Sequence, residues 1–188
     1  MLVVMIAMLS IAGAEPTQSD WDWLTEHRTA AFDALMPMTS AKAHLATYRG
    51  YRDLYQDVPE RYFSIQHRYG LEAVVVSPRG LSIQQQLLNL HMAEPTASFE
   101  SLLTRVQVNR VVLEASTCPA IEKQLERLGH LRFSVPDMSI IILHPEVHHV
   151  VVEGGGGTVD AVIQQDEHPL VKWSIETLLA IERCPAVR

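Results

Sequence analysis

Apolar residues recur along this chain with two different spacings, the three-to-four period of helices and the two-residue period of strands, and their succession predicts an α+β protein. In residues 20–35, Trp23, Leu24, Ala31, Phe32 and Leu35 fall mainly on one helical face, with Ser19 or Asp20 as the expected N-cap and Pro37 as the stop. Residues 41–55 fit two readings equally. They begin as a plausible helix after Thr39 or Ser40, yet Tyr48, Tyr51 and Tyr55 around Gly50 suit a strand. Residues 61–68 alternate large and polar side chains, and 72–77 form a Val-rich run, so the pair predicts a β-hairpin turning at Tyr69 and Gly70.

A turn at Ser77-Pro78-Arg79-Gly80 precedes Ile83, Leu87, Leu88 and Leu90, whose spacing predicts a helix ending before Pro95. A short helix over 99–105 leads to a strand over 106–114. A further helix over 118–128 has Ser116 or Thr117 near its N-cap, Pro119 in its first turn and Gly129 at its C-cap. Three β-rich runs follow, 138–143, 147–153 and 158–164, joined by His144-Pro145-Glu146 and by four glycines, 154–157. A last helix over 169–183 starts at Pro169, with Val171, Ile175, Leu178 and Leu179 facing the strands. The expected architecture is an antiparallel sheet, including a C-terminal three-stranded meander, with helices packed on one face.

Composition narrows the class. Apolar residues make up 47% of the chain, enough to bury a core, and the formal net charge is −7 with Lys and Arg scattered. Nucleic acid and anionic membrane surfaces are therefore not expected as partners. Residues 1–14 carry no charged side chain and hold an apolar run that ends in Ala12-Gly13-Ala14, followed by Glu15-Pro16. That pattern is a signal-peptide h-region with small residues at the positions a signal peptidase inspects, and it is too short to span a bilayer of roughly 30 Å. No basic residue precedes the run, so its positive charge rests on the terminal amine alone or the true start lies upstream. The expected organisation is a cleaved leader, 1–14, and a single α+β domain, 15–188, delivered to the periplasm or secreted. Two cysteines, Cys118 and Cys184, are an even count in an exported chain and predict a disulfide between the ends of two helices.

Candidate chemistry is sparse. His144, Glu146 and His148 lie at i, i+2 and i+4, so a continuous strand would project two imidazoles and a carboxylate from one face, a set suited to zinc or iron. Pro145 works against that geometry by favouring a turn, and His149 or His168 could supply a further imidazole. The spacing is not the helical His-Glu-x-x-His pattern of metalloproteases. Tyr48, Tyr51, Arg52 and Tyr55 belong to an aromatic and Arg-rich segment whose residue types suit an interface, while Asp53, Asp57 and Glu60 are placed to pair with those arginines. Gly155 and Gly156, at the middle of the glycine run, form a hairpin connection that can meet a partner. The run lacks the Lys and the following helix of a phosphate loop, no serine sits in a nucleophile elbow, and no cofactor is expected.

The outline, an export signal ahead of an α+β domain with one disulfide, is that of many bacterial envelope proteins and assigns no residue a role. The function expected is a non-catalytic binding or protein-interaction domain whose partner is another envelope or extracellular protein. The alternative is a metal-binding protein or metal-dependent hydrolase using His144, Glu146 and His148. Protein recovered from the secreted or periplasmic fraction of an exporting host should begin at Glu15 and show by intact mass the two-hydrogen deficit of a disulfide. A species there that retains Met1 would refute the leader.

Overall fold

The structure is a computed structural model that describes residues 15–38, 44–52, 59–67, 70–132, 146–154 and 157–185. The expected leader, the run 138–143, His144, Tyr55, Gly155 and Gly156 lie outside the described residues. The chain runs α1 (Gln18–Leu35), β1 (His44–Arg52), β2 (Arg61–His67), β3 (Leu71–Pro78), α2 (Ile83–Ala93), α3 (Phe99–Leu103), β4 (Val108–Glu114), α4 (Ala120–Gly129), β5 (Glu146–Gly154), β6 (Gly157–Ile163) and α5 (Pro169–Glu182). All six strands form one antiparallel sheet in the order β4-β3-β2-β1-β5-β6. The α+β architecture is thus the expected one.

The segment that fitted helix and strand equally is β1, and its place explains why. Tyr48 pairs with Phe63 of β2 on one side and Val150 of β5 on the other, so β1 is an interior strand whose two-sided burial decides its conformation. The same register fixes β5 and β6 as the expected hairpin, with Gly154 opposite Gly157, and gives the other edge of β5 to β1.

The helices cover both faces rather than one. Phe63, Ile65, Ala73 and Val75 pack with Tyr48 and Val150 against Ile121 of α4 and Trp173, Leu178 and Ile181 of α5. Their strand neighbours Tyr62, Val74 and Val76 point the opposite way, onto Leu24 and Phe32 of α1 and Ile83 and Leu87 of α2. Four consecutive residues are buried in each of β2 and β3, the mark of a strand covered on both sides. In sequence that mark is the unbroken Ala-Val-Val-Val of 73–76, where a one-sided sheet would alternate.

Local chemistry sets the helix ends and corrects several expectations. Thr17, not Ser19 or Asp20, caps α1, and its amide and hydroxyl donate to the Asp20 carboxylate at 2.7 and 2.6 Å, holding that carboxyl below its usual range. Glu60 is taken up by α2. Its buried carboxylate accepts from the backbone N–H groups of Ile83 and Gln84 at 2.7 and 3.2 Å, placing an anion at the α2 N-terminus. Arg49 instead reaches back to α1, donating to Asp33 Oδ1 at 2.8 Å with its guanidinium over the Phe32 ring. Pro119 is the N-cap of α4, and Gly129 is its last residue in ordinary helical conformation, with His130 as C-cap. On α5 the inward face runs through Leu170, Trp173 and Ile181, while Leu179 is exposed.

Cys118 and Cys184 form the expected disulfide, with Cα atoms 5.4 Å apart, joining the approach to α4 with the end of α5. Such a bridge persists in an oxidising compartment rather than a reducing cytosol. Trp173 Nε1 adds a second tie by donating to the Gln124 carbonyl at 2.8 Å. Because the cysteines are 66 positions apart, opening the bridge with Cys184→Ser should lower unfolding free energy by about 4 kcal/mol. The test is denaturant melting with and without reductant. The variant should match the reduced wild type, and equal stability of oxidised wild type and variant would refute a structural role.

Candidate functional site

Strand β5 alternates Glu146, Val147, His148, His149 and Val150, so Glu146 and His148 share one face and His149 takes the other. Two of the three residues expected to bind metal therefore do come together, with Glu146 Oε2 3.8 Å from His148 Nε2. Among the described residues the third group near them is Asp166, which sequence spacing did not suggest. Its Oδ1 lies 2.9 Å from the same nitrogen. Asp166 sits on the connection from β6 to α5, three residues past Ile163, which pairs with His148 across the sheet. The connection is pinned at its far end by His168, whose Nδ1 accepts from the Leu170 amide as the α5 N-cap. His168 is thereby committed to the helix, and His149 is hydrogen-bonded to Asp160 at 2.7 Å on the opposite face. Neither supplies the further imidazole.

The other ring nitrogen of His148, Nδ1, is 3.0 Å from the Tyr48 hydroxyl. Tyr48 belongs to β1, and between it and His148 lies Gly50, the residue directly opposite His148 in the β1–β5 register. A Cβ on Gly50 would fall 2.3 Å from the Tyr48 hydroxyl oxygen and 2.9 Å from the ring carbon that bears it. The tyrosine ring thus lies across the glycine, and only a missing side chain there lets the hydroxyl reach the imidazole. Arg61 of β2 pairs with Gly50 from the other side and contributes one positive charge near the hydroxyl, against the two carboxylates of Glu146 and Asp166.

Burial grades the site from inside to outside. The His148 side chain is 0% exposed, Glu146 20% and Asp166 67%, so a rigid imidazole faces outward toward two carboxylates at the solvent edge. Burial raises the Tyr48 phenol above its ordinary range, with Arg61 opposing and Glu146 and Asp166 adding to the shift, so the hydroxyl keeps its proton. The Asp166 carboxylate can only accept, so Nε2–H donates to it, while Nδ1 pairs with the Tyr48 hydroxyl, which can donate or accept.

The distances suit one ion. Two donor atoms bound to a tetrahedral zinc at about 2.05 Å are about 3.3 Å apart, and the 2.9 and 3.8 Å separations from Nε2 bracket that value. The three ligand atoms lie within 4.8 Å of one another. Two other hollows lack this convergence. A cavity of about 390 Å³ holds Glu72, Glu114 and Glu122, of which Glu72 already accepts from Gln66 at 2.7 Å. A groove of about 320 Å³ between α4 and the β5–β6 hairpin is lined by Leu125, Leu128, Val152 and Val159, with Glu153 as its acidic group.

Of the expected interaction surface, the described side chains are those of Tyr48 and Tyr51. Tyr48 is 1% exposed, and half-buried Tyr51 packs on Phe32 beneath Arg28. The Arg52 side chain lies outside the described residues. No family model, curated protein or solved structure matches this chain.

Gly50→Ala should destabilise the protein by about 1–3 kcal/mol, because the added methyl meets the phenol of an enclosed tyrosine. Adding Tyr48→Phe removes the nearest atom, so the double variant should lose less than the sum of the singles in urea melts. Strict additivity would show that Tyr48 and Gly50 are not in steric contact.

Proposed function

We propose that this protein is exported and acts as a non-catalytic binding protein for a divalent transition-metal ion held by Glu146, His148 and Asp166. The observation that carries the reading is a buried imidazole whose Nε2 lies 2.9 and 3.8 Å from two carboxylate oxygens, the three atoms all within 4.8 Å of one another. One nitrogen with two carboxylates favours zinc and its neighbours over calcium or magnesium, which prefer all-oxygen shells. Export is supported by the apolar, small-residue pattern of 1–14 and by the Cys118–Cys184 bridge. A holding role is supported by the enclosure of His148, whose Nδ1 is fixed by the Tyr48 hydroxyl while Nε2 faces the two carboxylates. Among the described residues Asp166 joins Glu146 and His148 as the third candidate ligand.

Isothermal titration of zinc into the folded protein should give one site. Asp166→Asn, a substitution at an exposed position that spares the core, should weaken it by about 10- to 100-fold, and His148→Ala should abolish it. Calcium should not compete. A folded wild-type protein that takes up no zinc, or whose affinity is unchanged in both variants, would overturn the reading.

A further inference from the structure

The contact between Tyr48 and His148 goes beyond packing, because it decides which nitrogen of the imidazole is free. In the geometry described, Nε2 carries the hydrogen that it gives to Asp166, and a nitrogen bearing hydrogen cannot bind a metal. Coordination through Nε2 therefore requires the hydrogen to be on Nδ1. A backbone carbonyl or carboxylate beside Nδ1 could only accept, which would fix the metal-ready tautomer permanently. A phenylalanine would leave Nδ1 buried and unpaired in either tautomer. A tyrosine hydroxyl is both donor and acceptor.

We propose that Tyr48 is the positioning residue of this site: its hydroxyl donates to Nδ1 of His148 in the metal-free protein and turns to accept from Nδ1–H when Nε2 takes the metal. This inference rests on the metal-binding reading above. The two hydrogen shifts leave the charge of the ring unchanged. One proton leaves Nε2 to solvent, one arrives at Nδ1 from solvent, and Tyr48 keeps its own while rotating about its C–O bond. Asp166 changes role in the same step, from acceptor of the Nε2 hydrogen to metal ligand.

Two features support the device. The 3.0 Å contact is compatible with either direction of donation. Gly50 is the residue that permits the contact at all, since any side chain there would occupy the space of the hydroxyl.

The test reads the tautomer directly, by two-bond proton–nitrogen correlation of the His148 ring in wild-type protein before and after one equivalent of zinc. The expected result is hydrogen on Nε2 without metal and on Nδ1 with it. Tyr48→Phe should weaken zinc binding by about 10- to 100-fold while circular dichroism shows the fold retained. If wild type binds zinc but its ring carries hydrogen on Nδ1 from the start, or if folded Tyr48→Phe binds as tightly as wild type, the positioning role is overturned and the metal site stands. If wild type binds no zinc, the metal reading fails and this inference fails with it. The wild-type spectra decide the matter even if the variant does not fold.

Discussion

The antiparallel pairing of β1 with β5 joins strands about one hundred positions apart, and every feature of the candidate site depends on it. It seats the C-terminal hairpin on the sheet, turns β1 into an interior strand and sets Gly50 opposite His148. A shift of one residue would turn His148 to the other face, toward α1, and bring His149 to the site in its place. Register is held because both faces of β1 are committed: Tyr48 points into the core under α4 and α5, and Arg49, its neighbour, is anchored to Asp33 and the end of α1.

Two hydrophobic cores on opposite faces divide the structural work. The face under α1 and α2 is tied by Arg49 and by the Glu60 carboxylate at the α2 N-terminus. The face that carries the site lies under α4 and α5, which are linked by a disulfide and by the Trp173–Gln124 hydrogen bond. A rigid floor of this kind suits a site whose central ligand must hold its orientation within fractions of an ångström. His148 is fixed on a strand inside that floor. Asp166 lies on an exposed connection anchored by the His168 cap.

The same residue types serve different ends according to depth. His148 and His149 are adjacent in sequence and each faces an aspartate, yet one is sealed between a phenol and two carboxylates while the other forms a surface pair across β5 and β6. Tyr48 and Tyr51 looked alike as interface aromatics. One orders an imidazole in the core, and the other is a stacking partner of Phe32.

Local rules made much of this legible. Helical spacing, proline and glycine positions and the alternation of 146–150 located the elements described and placed Glu146 and His148 on one face, because side-chain direction in a strand depends only on position along it. The cysteine count pointed to the disulfide for a similarly simple reason, the parity of thiols. Coverage of the sheet was misjudged although the unbroken Ala-Val-Val-Val of β3 carried the signal, and nothing local to Gly50 marked the close approach it permits. What no local rule contains is the partner of a strand. Tyr48 and Asp166 reach His148 from 100 positions before it and 18 after it, and only the pairing of β1, β5 and β6 and the cap of α5 bring them there. The sequence determined which groups were available and which way each points along its own strand; the tertiary structure decided which of them meet, because that depends on register between distant segments.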